Sequence, residues 1–248
     1  MLLENKNAVV YGAAGSMGAA VARAFAREGA RLFLAGRTLA TLDAVAEKIS
    51  AAGGVAQTAE VDALDQQAVE HHADEVASVV GSIDISFNGI SVTAVQGTPL
   101  VDMSLEDFMA PVVESARTHF VTATAAARRM TAQGSGVVVM LSSSAARESR
   151  HRMGGFNLAC ASIEAFTRSL AGEVGRDGVR VVCLRPNFTP ETVPEVSESD
   201  LQPLVDDTLL GRLPRLAEVA DTALFLASDG AGAITGAVVN LTCGAIVD

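Results

Sequence analysis

Residues 7–37 read NAVVYGAAGSMGAAVARAFAREGARLFLAGR, and this stretch decides the fold that the sequence predicts. The runs NAVVYG at its start and ARLFLAG at its end are short, apolar and typical of buried strands. Between them, apolar residues recur about every 3.6 positions in AAVARAFAREG, which predicts an amphipathic helix. Two strands joined through a helix predict a β–α–β unit with parallel strands.

Three glycines, Gly12, Gly15 and Gly18, stand between the first predicted strand and the predicted helix. Glycine permits a tight turn and lets the backbone approach a ligand closely. The N-terminus of the helix adds oriented N–H groups and a partial positive charge, which favour a bound phosphate. The turn, which also contains Ser16 and Met17, is therefore predicted to bind the pyrophosphate of a nucleotide.

The rest of the chain repeats the alternation of short apolar runs with Ala-rich helical stretches. Such runs, separated by helices, indicate a parallel sheet that is covered on both faces. We therefore expect residues 1–248 to form a single Rossmann-type α/β domain, a doubly wound parallel sheet of about seven strands. The further predicted strands cover residues 55–62, 83–89, 136–143, 179–186 and 237–242.

Composition narrows the function classes. Of the 248 residues, 49% are hydrophobic, so a sizeable core is expected. The net charge of −11 argues against nucleic-acid binding, because no block of Lys or Arg could neutralise phosphates. No run approaches the roughly 18 apolar residues of a membrane span, and no signal peptide is expected. The three cysteines, Cys160, Cys183 and Cys243, lack metal-ligand spacing, so we expect buried, reduced thiols, no metal and a cytoplasmic protein.

The segment 186–204 contains four prolines and several acidic residues. A long loop inside a compact domain is usually functional. We therefore expect a substrate lid over residues 186–212, although the segment contains no motif that identifies a substrate.

Several motifs together resemble those of the short-chain dehydrogenase/reductase family, and the likeness covers essentially the whole chain. That family opens with Thr-Gly-x-x-x-Gly-x-Gly, where this sequence has Tyr11, Gly12, Ser16 and Gly18, with Gly15 one place early. The segment AEVDALD is similar to the segment with which the family contacts adenine. Where the family has Asn-Asn-Ala-Gly, this chain has FNGIS. The family's closing helix and strand are resembled by RLAEVADTALFLASDGAGAITGAVVNLTCG. The resemblance and the glycine turn assign cofactor binding to Gly12, Gly15, Ser16, Met17, Gly18, Arg37, Asp62, Ala63, Asn88, Gly89 and Pro186.

The end of the second predicted strand bears on which cofactor is bound. An acidic residue there would hold the ribose hydroxyls of NAD and repel a 2′-phosphate. This chain has Gly36 followed by Arg37, and an arginine can pair with a phosphate. NADP(H) is therefore favoured over NAD(H); a solvated Arg37, and a chain that binds neither, are the alternatives.

The resemblance also implies positions for a Ser, an Asn and a Tyr-x-x-x-Lys pair that carry the family's chemistry. Ser143 falls at the Ser position, with Ser142 as a one-place alternative, while Ser115 falls at the Asn position. Phe156 and Cys160 occupy the Tyr and Lys positions. No other alignment restores the pair, because the only tyrosine is Tyr11 and the only lysines are Lys6 and Lys48.

Other polar residues near these positions have mainly structural interpretations. Cys160 is expected to pack under the site rather than to act as a nucleophile. His151 and Arg152 are interpreted as surface-loop residues, and His119 as a histidine on a helix surface that could alternatively face the cleft. Where the family has Pro-Gly, this chain has Pro186-Asn187, and Glu191, with Thr192 adjacent, stands where a Thr often contacts the nicotinamide.

Three functions follow from this pattern. The first is an atypical oxidoreductase that binds NADP(H) and transfers hydride without the usual Tyr and Lys. The second is a non-redox enzyme that reuses the cleft, and the third is an inactive nucleotide-binding or partner subunit. The family resemblance implies a homo-dimer or homo-tetramer, assembled through the fourth and fifth helices and the C-terminal strand. The third function would also allow assembly beside an active partner.

Overall fold

The computed structural model describes residues 1–193 and 195–248, and its centre is one sheet of seven parallel strands. The strand order is β3-β2-β1-β4-β5-β6-β7, so the direction of winding reverses between β1 and β4. The predicted fold class is confirmed, and each predicted strand is present with ends shifted by at most two residues. The strands are β1 (Asn7–Tyr11), β2 (Arg31–Gly36), β3 (Val55–Glu60), β4 (Ile85–Asn88), β5 (Gly136–Leu141), β6 (Val179–Pro186) and β7 (Val238–Leu241).

The described residues form seven α-helices, and six of them cover the sheet on its two faces. They are α1 (Ser16–Arg27), α2 (Leu39–Ala51), α3 (Gln66–Val80), α4 (Leu105–Gln133), α5 (Gly155–Val174), α6 (Glu198–Asp206) and α7 (Leu216–Ala227). Helices α1, α2 and α7 pack on one face, and α3, α4 and α5 pack on the other. None of the helices in the described chain is long and apolar enough to cross a membrane.

The side chains of β1 alternate between the two faces of the sheet, so the hydrophobic core has one half on each face. Ala8 and Val10 are buried against the α1 face, while Val9 and Tyr11 are buried against the α3 face. Four successive buried apolar residues fit only a sheet that is covered on both sides, because successive side chains point to opposite faces.

Residue 194 of the segment predicted as a loop over 186–204 lies outside the described residues; from 198 onward the segment is helical, and in this respect the prediction was wrong. Helix α6 begins after Ser197, whose hydroxyl accepts a hydrogen bond from the Asp200 amide (3.2 Å). The N-terminal Ser and the early acidic residues favour a helix start, and Pro203 is tolerated in this short helix. Prolines and charges therefore masked a local helix signal.

A buried ion pair joins α5 to β6. The Arg185 guanidinium donates to both carboxylate oxygens of Glu164, at 2.7 and 2.9 Å. The side chains are only 4% and 6% exposed. Ser142 donates to the same carboxylate (3.1 Å), and Asp248 accepts from Arg185 (2.5 Å). The loop after β5, the middle of α5 and the end of β6 are thus connected through one carboxylate.

We expect Arg185→Met to lower the free energy of unfolding by about 3 kcal/mol, because it leaves the Glu164 carboxylate buried without its cation. Urea unfolding followed by circular dichroism measures this loss. The control is Arg27→Met, which breaks the ion pair with Asp221, whose two side chains are 60% and 59% exposed. That loss should stay below about 1 kcal/mol. Equal losses in the two variants would contradict the structural importance of the buried pair.

Candidate active site

The candidate site lies at the carboxyl ends of β1 and β4, where the strand order reverses. In parallel α/β sheets, this reversal leaves a crevice between neighbouring loops, and ligands bind there. Tyr11 and Asn88 pair across these two strands, and Asn88 pairs with Met140 on β5. The carboxyl ends of three neighbouring strands therefore lie at one edge of the sheet.

Backbone segments from β1, α1 and β4 approach one another closely at this edge. Gly12 has a φ of +71°, and a Cβ atom on it would lie 2.8 Å from the Gly89 carbonyl carbon. A Cβ atom on Gly18 would lie 2.3 Å from the Gly12 carbonyl oxygen. Only glycine fits at Gly12 and Gly18 without backbone movement.

The turn between β1 and α1 exposes the first amide groups of the helix. The amides of Ser16, Met17 and Gly18 have no intrahelical acceptor, as is general for the first turn of a helix. Gly15 caps this turn, and its amide donates to the Gly12 carbonyl (3.0 Å). A Cβ atom on Gly15 would meet only the Gly12 carbonyl oxygen at 3.4 Å, so this shifted glycine is under much less steric constraint.

A cavity beside the turn contains several of the predicted cofactor residues. Arg37 is exposed and forms no ion pair with any described residue, so its guanidinium is available to an anion. Gly36 before it carries no side chain that could obstruct a ribose phosphate. A nucleoside with a 2′-phosphate thus fits the chemistry of these residues. The lining residues are Tyr11, Gly12, Ala35, Gly36, Arg37, Val61, Asp62, Ala63, Leu64, Ile90, Ser91, Glu114 and Thr118.

Asp62 and Asn88 shape the loops of this cavity. The Asp62 carboxylate accepts from the Leu64 amide (3.0 Å), which fixes the turn after β3. The Asn88 side chain donates to Thr122 on α4 (2.9 Å) and accepts from the Ile90 amide (3.0 Å). Asn88 is 4% exposed, and its amide is fully engaged in holding the β4 loop against α4.

The two serine candidates after β5 have different environments. The Ser142 hydroxyl is bound to the buried Glu164 carboxylate, so it is occupied. Ser143 is partly exposed, and its hydroxyl accepts a long bond from the Ala145 amide (3.3 Å), which leaves its proton free to donate. Of the two, Ser143, the first choice from the sequence, has the hydroxyl that is free to donate to a ligand, and its catalytic role stays a prediction.

Phe156 and Cys160 lie one turn apart at the start of α5, as their spacing predicts. Cys160 is 2% exposed. Burial raises the pKa of its thiol to about 12; nearby Cys183 and Glu164 add to the rise, and the Ser143 backbone opposes it. The thiol is therefore protonated at neutral pH, which argues against a nucleophilic Cys160 and agrees with the packing interpretation.

His119 is buried, so the prediction of a helix-surface histidine was wrong. It is 3% exposed, and its Nδ1 lies 2.9 Å from the carbonyl of Ser115, itself a buried residue of α4. Burial lowers the pKa of His119 to about 4, despite nearby carbonyls of Ser115 and Leu141, so the ring is neutral. Nε2 has no hydrogen-bond partner within the described residues. Packing of α4 against β4 and β5 buries His119, and the local sequence contains no signal for this contact.

His151 connects the loop after β5 to the end of α6. Its Nε2 lies 3.0 Å from Asp207 and 3.5 Å from Glu148, and Arg150 also bonds to Asp207 (2.6 Å). The expected surface-loop imidazole is therefore only partly exposed and is paired with two carboxylates. Arg152 lines a second cavity, away from the nucleotide turn, with Phe108 and Leu158 among its neighbours.

Three further residues are placed differently from expectation. Glu191 accepts from the Leu216 amide at the start of α7 (3.3 Å), so its carboxylate caps a helix. Thr192 donates to the Thr189 carbonyl (2.7 Å). Cys243 is partly exposed, whereas Cys160 and Cys183 are buried as predicted. Pro186 is the last, buried residue of β6.

Sequence reasoning missed the contribution of α4 to the cavity. Glu114 and Thr118 line it, although nothing in their spacing marks them as ligand contacts. Tyr11 was noticed only as a departure from the family's Thr. Its place at the end of an alternating strand, on the same face as Val9, was the available signal that its ring points toward α3 and α4.

Comparisons with known proteins agree with this architecture over nearly the whole chain. A family model described as enoyl-(acyl carrier protein) reductase matches residues 12–245. The chain is 32% identical over 252 residues to a galactitol 2-dehydrogenase (L-tagatose-forming) from Cereibacter sphaeroides, covering 98% of this chain and 95% of that protein. It is 30% identical over 252 residues to a 3alpha-hydroxysteroid dehydrogenase from Mediterraneibacter gnavus, covering 97% of each. A solved structure of a short-chain type dehydrogenase/reductase from Mycobacterium marinum matches with a TM-score of 0.88 at 27% identity, covering 99% of this chain and 97% of that one.

We expect Gly18→Ala to lower the free energy of unfolding by at least about 2 kcal/mol, because the new Cβ would strike the Gly12 carbonyl and force backbone movement. Gly15→Ala is the matched control in the same turn, and it should change the free energy of unfolding by less than about 1 kcal/mol. Thermal and urea unfolding measure both. Equal free energies of unfolding for Gly18→Ala and Gly15→Ala would contradict the close approach of α1 to β1.

Proposed function

The chain belongs to the short-chain dehydrogenase/reductase family, and on that premise we propose that it is an oxidoreductase that binds NADP(H) and transfers hydride to or from a small carbonyl or alcohol substrate. Membership of this family implies a nicotinamide dinucleotide as cofactor. The observation that carries the proposal is the cavity beside the glycine turn. Gly12 and Arg37 both line this cavity, and Gly12 begins the turn that leads to the unpaired amides of α1.

The preference for the 2′-phosphorylated cofactor rests on Gly36 and Arg37. No carboxylate side chain follows β2 at this point, so nothing there selects free ribose hydroxyls or repels a phosphate. A guanidinium without an ion-pair partner forms strong, charge-assisted bonds to a phosphate. These two residues support NADP(H) over NAD(H).

The nicotinamide cofactor supplies the hydride chemistry when bound, and the protein supplies orientation and a polar environment. Ser143, with a hydroxyl proton that is free to donate, steadies the substrate oxygen. Phe156 has no hydroxyl, and the Cys160 thiol is buried, so neither holds an exchangeable proton at the reacting oxygen. We propose that this member lacks the Tyr–Lys pair in function as well as in sequence, and that solvent supplies the proton.

The substrate class follows from the family and from the names of its members. The relatives include a galactitol 2-dehydrogenase and a 3alpha-hydroxysteroid dehydrogenase, which differ greatly in substrate size. Both names describe an alcohol that is oxidised to a carbonyl. We propose an alcohol or carbonyl substrate for this chain, bound beneath residues 186–212 as a lid. The contacts of Asp207 with His151 and Arg150 fasten the end of α6 over the loop after β5.

Assembly into a homo-dimer or homo-tetramer stays a prediction, and the outer surfaces of α4 and α5 support it. Apolar side chains on these two helices remain exposed, which is typical of surfaces that pair. Phe120 on α4 packs against Phe166 on α5, with ring centroids 5.9 Å apart, so the two helices present one continuous face. The exposed residues are Leu105, Met109, Val113, Phe120 and Leu158.

Calorimetric titration of nucleotide-free protein tests which cofactor is bound. We expect micromolar binding of NADPH and weaker binding of NADH. Arg37→Gln should weaken NADPH binding about tenfold and leave NADH binding within about twofold, because only the 2′-phosphate bonds are lost. The control Arg23→Gln removes an equal charge from an exposed position on α1 and should change neither. Absence of binding by the wild-type protein would refute the proposal and favour a cofactor-free enzyme or an inactive subunit.

Restoring a Tyr–Lys pair at positions 156 and 160 tests whether the protein transfers hydride. We expect slow, substrate-dependent oxidation of NADPH by the wild-type protein across a panel of ketones and aldehydes. Phe156→Tyr combined with Cys160→Lys should raise the rate about 10²–10⁴-fold, the usual contribution of a general acid.

The single variant Phe156→Tyr should gain much less, because a phenol needs a neighbouring cation to act near neutral pH. Thermal unfolding of each variant shows whether the fold is kept. If the folded double variant and the wild-type protein both bind NADPH but never oxidise it, a non-redox enzyme or an inactive subunit is favoured.

A further inference from the structure

Tyr11 is the only tyrosine of the chain, and it lies in the candidate nucleotide cavity. It is the last residue of β1, and its side chain packs in the apolar cluster on the α3 and α4 face, with Phe33, Val61 and Ala63. The residue is 2% exposed. A large phenol is therefore placed almost entirely inside the protein, one residue before the glycine turn.

The hydroxyl of Tyr11 forms no hydrogen bond with any described residue, and it is not among the unpartnered polar atoms that are fully closed off from solvent. The small exposed part of Tyr11 therefore includes its hydroxyl, and the residue lines the cavity. His72 contacts the ring edge-on, with ring centroids 6.0 Å apart and planes at 79°, and fixes its orientation. This contact does not satisfy the hydroxyl. The hydroxyl is therefore open to a partner from the cavity, which is water in the free protein and can be a polar atom of a bound ligand.

The surroundings indicate what that partner is. Tyr11 shares the cavity with Val61 and Ala63, which offer apolar contacts to a flat ring, and with Asp62, the position where the family resemblance expects adenine contact. Arg37 on the other side suits the 2′-phosphate. An adenosine that carries this phosphate would place polar atoms of its base and ribose within the same small cavity.

We infer that Tyr11 is a ligand-binding residue of the nucleotide site, and that its hydroxyl hydrogen-bonds to the adenosine half of the bound cofactor. The inference rests on the proposed function, because it needs NADP(H) in this cavity. Burial raises the pKa of Tyr11 well above its ordinary value, so the phenol stays protonated and can both donate and accept.

Tyr11→Phe removes only the hydroxyl and keeps the packed ring. We expect it to weaken binding of NADPH and of adenosine 2′,5′-bisphosphate by roughly five- to tenfold, the usual effect of one neutral hydrogen bond. The bisphosphate fragment lacks the nicotinamide, so its titration reports on the adenosine half alone. The urea midpoint of the ligand-free variant should match that of the wild type, because the hydroxyl makes no bond within the free protein.

A second measurement uses the fact that Tyr11 is the only tyrosine of the chain. Protein grown with 3-fluorotyrosine carries a single fluorine label, since the chain has one tyrosine. Its fluorine resonance should move when adenosine 2′,5′-bisphosphate is added.

The outcomes separate this inference from the proposed function. Equal binding by wild type and Tyr11→Phe, or a resonance that does not move while the fragment binds, overturns the role of Tyr11 alone. If the wild-type protein binds neither NADPH nor the fragment, the proposed function fails and this inference fails with it.

Discussion

The close approach of three backbone segments, at Gly12, Gly18 and Gly89, is the constraint on which the site depends. Side chains at Gly12 or Gly18 would push α1 away from β1 or from the loop after β4. With none in the way, the N-terminus of α1 reaches the point where the strand order reverses, and its free amides face the crevice. The cavity with Arg37 and Asp62 exists because these segments meet at this spacing.

The sheet was predictable from the sequence because its signals are local. Each strand is a short apolar run, and a strand buried on both faces needs no long-range information to be recognised. The same holds for the glycine turn. The environments of His119 and Glu191 were not predictable, because they depend on residues distant in sequence: packing of α4 on the sheet buries His119, and α7 supplies the amide from which Glu191 accepts. Helix α6 was missed for a different reason, since prolines and charges masked its local helix signal. For the candidate site, residue types indicated where a nucleotide fits, but not that Tyr11 lines the cavity.

The nucleotide cavity and the catalytic positions lie on different elements, which explains how residues at the catalytic positions can change while the nucleotide cavity is kept. The nucleotide cavity uses the ends of β1, β2 and β3 with part of α4, whereas Phe156 and Cys160 lie on α5. Helix α5 keeps its position through the Glu164–Arg185 pair and through Ser142, independently of both residues. Substitutions at the start of α5 can therefore alter the chemistry without disturbing the fold or the nucleotide end.

The burial of the thiols between α5 and β6 has a consequence for the chemical durability of the chain. Cys160 and Cys183 are at most 2% exposed, and burial raises their pKa values to about 12 and 11. Oxidants and alkylating agents attack accessible thiolates, and neither residue provides one. These two sulfur atoms would thus survive in an oxidising medium, and only Cys243, partly exposed, offers an accessible point of attack. Free cysteines in this chain consequently say little about the redox conditions under which it works.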